Sequence, residues 1–203
     1  VAPSPNWLKR RTVKPESSTD PLWELCPSCG ERLYKKDLVE RLRVCPKCGH
    51  HLRMGALDRI ALLADGDFEE IASNLVTGDP LLWMDRVPYS QKTAADRAKS
   101  GLLEGVVTGF CAIEGFPTAL GVMDFSFRGG TMGSVVGEKF SRACDSAAEA
   151  GTPLICVTSS GGARMQEGIL ALMQLPKTVA AVEDLRDSGE AFISVMAHPT
   201  TGG

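Results

Sequence analysis

Apolar positions along the chain change their character twice, and the changes mark out its elements. Leu57, Ile60, Ala61 and Ala64 recur at i, i+3, i+4 and i+7, which predicts a short amphipathic helix ended by Asp65-Gly66-Asp67. Gly78-Asp79-Pro80 and Val87-Pro88-Tyr89 punctuate a loop, and Ala94 to Lys99 reads as a second short helix before Gly101. From Leu102 strand-like runs take over. Val106 to Ile113 is expected as a strand, Glu114-Gly115-Phe116-Pro117 as a turn and Thr118 to Phe125 as the returning strand. Past a loop at Arg128–Ser134, Val136, Phe140, Ala143 or Cys144, and Ala147 share one helical face, which Gly151-Thr152-Pro153 closes. Leu154 to Val157 has the continuous apolar character of a strand buried on both sides, and it opens into a second loop, Ser159–Arg164. A helix from about Met165, broken or bent at Pro176, precedes a strand at Phe192–Met196 and a last loop at Pro199–Gly203. Strand, glycine loop and helix alternate, so the body is expected to be α/β.

Composition narrows the class. The chain has 203 residues, 43% hydrophobic and 23% charged, enough for one medium domain and a small appendage. No apolar run approaches the ~20 residues of a membrane-spanning helix, and Val1-Ala2-Pro3-Ser4-Pro5 has no apolar core of a secretion signal. The expectation is a soluble, cytoplasmic protein with no membrane span. Twenty-one Gly and 12 Pro point to many tight loops. Residues 1–53 carry 11 Lys and Arg against 6 Asp and Glu, and the rest carries 11 against 19, so a head of +5 precedes a body of −8. Such a division either reflects packing between neighbours of opposite sign or lets the head attract nucleic acid or a phosphate-bearing cofactor.

The cysteines divide likewise. Cys111, Cys144 and Cys156 are scattered, whereas Cys26, Cys29, Cys45 and Cys48 form C-P-S-C-G and C-P-K-C-G, the spacing of a zinc ribbon. Gly30 and Gly49 can take the positive φ that turns both sulfurs of each knuckle toward one point. Four thiolates at ~2.3 Å close a tetrahedral shell around one structural Zn²⁺ and leave no position for substrate. Two disulfides or a redox C-x-x-C are the competing readings, and the absence of an export signal disfavours them. The segment from Tyr34 to Val44 is expected as a hairpin or turn, with Trp23, Tyr34 and Leu42 covering the metal site. His50 and His51 are expected at the surface because four cysteines complete the shell. The chain then divides into a tail over residues 1–22, the ribbon over 23–55 and the body over 56–203.

Three Gly-Gly pairs, Gly129-Gly130, Gly161-Gly162 and Gly202-Gly203, stand in loops that open or follow the strands. Paired glycines either permit sharp strand-to-helix turns or let backbone N–H groups approach a ligand, as a phosphate cradle or an oxyanion hole. Neither G-x-x-x-x-G-K-[ST] nor G-x-G-x-x-G after a strand is present, which favours the oxyanion reading. Side-chain catalysts are scarce. No G-x-S-x-G elbow occurs, and a Ser160–His198 pair has no evident third member.

The motifs C-P-S-C-G…V-C-P-K-C-G-H-H-L-R-M, F-R-G-G-T-M-G-S-V-V-G-E-K-F, S-S-G-G-A-R-M-Q-E-G and H-P-T-T-G-G, in this order from about Trp7 to Gly203, resemble the beta-subunit family of bacterial acetyl-CoA carboxylase carboxyltransferases. Thr131 stands where that family often has Ser, and the hydroxyl is retained. The resemblance implies a crotonase-like (ClpP-like) superhelix of ββα units behind the ribbon. It implies transfer of a carboxyl group from carboxybiotin, borne on the biotin carboxyl carrier protein, to acetyl-CoA, giving malonyl-CoA for fatty acid biosynthesis. The biotin ureido anion would take the acetyl proton while backbone N–H groups hold the oxygen anions. By motif, Gly202 and Gly203 are the oxyanion candidates and Gly161, Gly162 and Ala163 line the catalytic site. Gly129, Gly130 and Gly133 would shape the acyl-CoA side, with Arg164 positioning the loop or a phosphate. The implied partners are a carboxyltransferase alpha subunit in an α2β2 assembly, without which the chain is expected to be inactive, together with biotin carboxylase and the carrier protein. Family members continue past the last Gly-Gly loop with further ββα units, so a truncated chain with an incomplete C-terminal core is expected. The competing classes are a nucleic-acid-binding zinc-ribbon protein and a crotonase-like acyl-CoA hydrolase or isomerase.

Overall fold

A computed structural model describes residues 22–201, which divide into two compact units at Met54 and Gly55. The expected tail over residues 1–22 lies, apart from Leu22, outside the described residues.

In the first unit, β1 (Trp23–Leu25) pairs antiparallel with β2 (Arg32–Tyr34), and helix α1 (Lys35–Glu40) follows at once. Each knuckle closes in the same way. Gly30 and Gly49 stand at φ 72° and 70°, and their N–H groups donate to the carbonyls of Cys26 and Cys45, both at 2.9 Å. A side chain at either position would be strained in this conformation. Between the knuckles the expected hairpin is replaced by α1, because Lys-Lys-Asp-Leu-Val-Glu has good helix formers and one apolar side, Leu38, to bury. Leu38, Leu33, Cys26 and Cys45 form the small core, with Leu52 packed against it. Leu42 is therefore not a cover for the cysteines: it lies half exposed at φ 51° in the turn after α1. Trp23 packs on Tyr34 at 5.3 Å between ring centroids.

The second unit is built on a five-stranded sheet in the order β3-β4-β5-β6-β7. Strands β3 (Glu69–Ile71), β4 (Val106–Ile113) and β5 (Phe116–Met123) run antiparallel, while β5, β6 (Leu154–Ser160) and β7 (Phe192–Thr200) run parallel. The parallel steps require crossovers, supplied by α4 (Ser134–Ala150) and by α5 (Gly168–Leu172) with α6 (Gln174–Asp187). Both faces of the middle strands β4, β5 and β6 are covered, while Ile193, Val195 and Met196 of the edge strand β7 stay exposed. On one face, Ala119, Leu154, Ala143, Cys144, Ala147, Ala181 and Leu185 join sheet, α4 and α6. On the other, Leu120, Val122, Val107 and Val157 meet Ala56 and Ile60 of α2 (Ala56–Leu63). The start of α2 is held by Asp124, whose carboxylate accepts the Ala56 N–H at 2.7 Å. Helix α3 (Tyr89–Ser100) is longer than the Ala94–Lys99 expectation.

Three boundaries differ from the pattern. The β4–β5 turn is the pair Glu114-Gly115 at positive φ, whose N–H groups donate to Asp65 at 3.0 and 2.7 Å. A two-residue turn of this hand matches the strand twist, so Phe116 already belongs to β5. The helix after Arg164 is broken as expected, but at Met173 rather than at Pro176, because α6 restarts with Pro176 in its first turn, where a missing N–H costs nothing. Strand β7 runs on to Thr200, its end pairing with Ser160 of β6.

Candidate active site

Loops 128–134 and 159–164 leave the ends of β5 and β6 and lie side by side. Three backbone hydrogen bonds join them: Gly161 N–H to Gly129 O (2.9 Å), Met132 N–H to Gly162 O (2.9 Å) and Arg164 N–H to Met132 O (2.8 Å). The approach is too close for side chains. A Cβ on Gly130 would overlap the Ser159 carbonyl, and one on Gly133 would stand 2.5 Å from Glu167 Oε1 and 2.8 Å from Arg164 Nη1. Gly130 and Gly133 thus make room for protein rather than for ligand.

The donors expected to face a ligand are mostly spent. The Gly161 N–H goes to Gly129, and the Gly162 N–H donates to the Ser160 hydroxyl at 3.0 Å. Ala163, exposed between them and Arg164, keeps an N–H with no partner among the described residues. Ser160 is itself buried and occupied by that Gly162 bond, and no hydrogen bond joins it to His198 among the described residues, so a serine–histidine couple is not formed. Thr201 lies alongside, donating from its N–H (3.0 Å) and hydroxyl (3.1 Å) to the Ser160 carbonyl. Gly202 and Gly203, the oxyanion candidates by resemblance, lie outside the described residues.

Beneath the loops is a buried ionic cluster that the sequence pattern did not single out. Arg164 is 0% exposed and makes a forked ion pair with Glu104, Nη2 to Oε1 at 2.6 Å and Nη1 to Oε2 at 3.0 Å. Its remaining donors reach Thr131 O (2.8 Å), Thr131 Oγ1 (3.3 Å), the Tyr89 hydroxyl (3.2 Å) and Glu167 (3.3 Å). No donor is left for a phosphate, so of the two roles implied for Arg164 the geometry fits the one that positions the loop. Glu167 accepts from Thr77 (2.9 Å), Tyr89 (2.7 Å) and the Ser134 N–H at the head of α4 (2.6 Å). The N-terminus of α4 therefore already faces a carboxylate of its own chain, the favourable sign for the helix dipole. Burial pushes the Glu167 carboxyl up, but the Ser134 N–H and the Tyr89 and Thr77 hydroxyls outweigh it and hold it below the usual range. Burial raises the Tyr89 phenol to about 12, and Arg164 opposes that rise. Two signals could have pointed here. Glu104 is a lone acid where the apolar run of β4 begins, and Glu167 follows Arg164 at i+3.

In the ribbon the four cysteine sulfurs lie within 4.8 Å of one another, with Cys26–Cys48 at 3.7 Å and Cys29–Cys45 at 3.8 Å. Ligands 2.3 Å from a tetrahedral zinc stand about 3.8 Å apart, so the set fits the ion, and all four are free thiols rather than disulfides. His50 and His51 stand outside this set, His51 exposed. These residues would hold a structural zinc. No helix among the described residues is long and apolar enough to cross a membrane.

These features match known proteins along the chain. The acetyl-CoA carboxylase zinc finger domain matches residues 23–48. The acetyl-coenzyme A carboxylase carboxyl transferase subunit beta of Synechococcus sp. (strain WH7803) is 48% identical over 91% of this chain and 63% of its own length. That of Prochlorococcus marinus (strain NATL1A) is 44% identical over 95% of this chain and 66% of its own. The chain thus spans just under two thirds of these relatives. Among solved structures, transcarboxylase 12S with hydrolysed methylmalonyl-coenzyme A bound superposes with a TM-score of 0.58 at 32% identity, over 71% of this chain and 26% of that one. Its carboxyltransferase-type, crotonase-like architecture is the one described above. The carboxyl transferase domain matches residues 75–203, from before α3 through both glycine loops, and by that match over more than half its length the chain belongs to the carboxyl transferase domain family.

Proposed function

We propose that this chain acts as the beta-type half of an acetyl-CoA carboxylase carboxyltransferase, moving a carboxyl group from carboxybiotin to the methyl carbon of acetyl-CoA. The observation that carries the reading is the N–H of exposed Ala163, without a partner among the described residues, where two interlocked glycine loops meet and no serine–histidine couple forms among those residues. In the transfer, the N–CO₂ bond of carboxybiotin breaks, the ureido nitrogen takes the proton leaving the acetyl carbon, and the resulting enolate carbon bonds to CO₂. Carboxybiotin thus supplies both carboxyl group and base. The protein's task is to hold an oxygen anion and exclude water, and one fixed donor of this kind contributes about 3–4 kcal/mol to the transition state. Gly202 and Gly203 would add donors beside Thr201, while Gly161 and Gly162 shape the loop that presents Ala163. Gly129, Gly130 and Gly133 hold that loop against its neighbour. A carboxyltransferase alpha subunit in an α2β2 assembly, biotin carboxylase and the biotin carboxyl carrier protein complete the reaction in the cytoplasm.

The basic charge of the ribbon is its one feature that would suit nucleic acid, and it is partly neutralised within the unit. Two of its cations are already engaged, Arg43 with Glu24 at 3.2 Å and Lys47 with Glu31 at 2.5 Å.

The test is carboxyl transfer in reverse, from malonyl-CoA to a soluble biotin derivative, with the full-length chain alone and co-expressed with an alpha subunit. Activity that appears only with the partner is expected. A co-purifying complex that forms no acetyl-CoA would overturn the reading.

A further inference from the structure

The two glycine loops carry little of their own to hold them still. Gly129, Gly130, Gly161 and Gly162 have no side chains to lock into a core, and glycine backbone is the most freely varying. Three backbone hydrogen bonds join the loops, and one of them comes from the N–H of Arg164. The same residue sends its guanidinium beneath the loops to Thr131 O at 2.8 Å and Thr131 Oγ1 at 3.3 Å. Arg164 therefore grips the first loop twice, from the main chain at Met132 and from the side chain at Thr131. Ala163 is the residue immediately before it.

The guanidinium is itself held from three directions. Glu104, at the entry to β4, takes both Nη atoms and also accepts the Gly105 N–H at 2.7 Å. Glu167, in the turn before α5, contacts Nη1 and reaches the head of α4. Tyr89, at the start of α3, donates to Glu167 and accepts from Arg164. Phe127 lies under the guanidinium carbon, 5.7 Å from its ring centroid. Arg164, Glu104 and Glu167 have fully buried side chains, so two carboxylates face one guanidinium away from water. Buried ion pairs recover their desolvation cost poorly and are weak sources of stability, whereas a rigid planar fork fixes geometry well.

We infer that Arg164 is a positioning residue, held by Glu104, Glu167 and Tyr89, whose two-point grip on loop 128–134 fixes the direction of the Ala163 N–H. The inference rests on the carboxyltransferase reading above. An oxyanion donor is effective only when it is already aimed, since no reorganisation is then needed as charge develops. A misplacement of about 1 Å costs up to about 100-fold in rate. Lysine at this position retains the charge but cannot span Glu104 and Thr131 together.

The experiment compares wild type, Arg164→Lys and Tyr89→Phe in the full-length chain assembled with its alpha partner, by steady-state kinetics of malonyl-CoA decarboxylation coupled to biotin carboxylation. Melting temperature and partner stoichiometry are measured on the same samples. For Arg164→Lys, kcat is expected to fall about 30-fold or more with the KM for malonyl-CoA within about twofold, because donor aim matters to the developing anion rather than to ground-state binding. Tyr89→Phe removes one oxygen and no charge, so it keeps the assembly intact, and its kcat is expected to fall about 3-fold to 10-fold at unchanged KM. Assembled Arg164→Lys with kcat within twofold of wild type, or with its loss confined to KM, overturns the inference. If Arg164→Lys does not assemble, Tyr89→Phe decides alone, and wild-type kcat there overturns it equally. A wild-type complex without transfer activity instead removes the carboxyltransferase reading on which the inference stands.

Discussion

Each unit of the chain is organised around a small polar cluster, and the two clusters are built in opposite ways. In the ribbon, Cys26, Cys29, Cys45 and Cys48 come from two short knuckles, and their spacing is the site. In the body, Thr77, Tyr89, Glu104 and the Arg164–Glu167 turn come from four separate places along the sequence, and only the folded chain brings them within hydrogen-bond distance. Among the described residues the ribbon's apolar core is Leu33, Leu38, Cys26 and Cys45, with Leu52 against it, so its metal cluster would be the main source of its stability. The body has apolar cores on both faces of its sheet, and its buried charges serve geometry. A polar cluster can thus be what folds a unit or what aims a unit that is already folded.

The contrast can be broken most directly by removing the metal. Cys45→Ser, or a strong zinc chelator, is expected to abolish stoichiometric zinc and the ordered amide signals of residues 23–53 while leaving the melting of the body nearly unchanged. Zinc analysis with amide hydrogen exchange reads both at once. Loss of the ribbon's order without loss of zinc would refute it.

Next in size is Glu104→Ala, which leaves the guanidinium of Arg164 buried with its forked partner gone. Breaking a buried pair from one side costs about 3–5 kcal/mol, and for a unit of this size that lowers the melting temperature by about 10 °C. Calorimetry should show the loss in the body and none in the zinc content. A drop of only a degree or two would mean that water or another side chain replaces the carboxylate.

The smallest effect is in acid. Glu167 titrates below its ordinary value in the folded chain. Its contribution is therefore fully present above the unfolded pKa of about 4.3 and is lost as pH falls through the lower folded value. The gap in melting temperature between wild type and Glu167→Gln is expected to be constant from pH 7 to about pH 5 and to close below about pH 4. A gap unchanged at pH 3 would show that the carboxylate charge contributes nothing to it.

The helices α2 and α4 were legible because their apolar residues repeat with a fixed period, and β6 because a short continuous apolar run marks a strand buried on both faces. The segment between the knuckles was misjudged: metal-ligand spacing does not reveal whether the chain between two knuckles winds as α1 or turns as a hairpin. The glycine loops were legible as loops, but their donors were not. Whether a Gly161 or Gly162 N–H is free depends on which carbonyl or hydroxyl lies opposite, and that is set by β5 and β6 standing side by side in parallel.

By itself the sequence determined the four cysteines that would hold zinc, the α/β order of the body and the family to which the motifs belong, because each rests on residues close together or on a repeating pattern. Only the tertiary structure decided that Gly130 and Gly133 face protein, that Ala163 rather than Gly161 or Gly162 keeps a donor unpaired among the described residues, and that Arg164 is sealed between Glu104 and Glu167. The physical reason is the same for all three: a hydrogen bond or ion pair between Glu104 and Arg164, 60 positions apart, has no trace in local spacing and exists only once the sheet has closed around it.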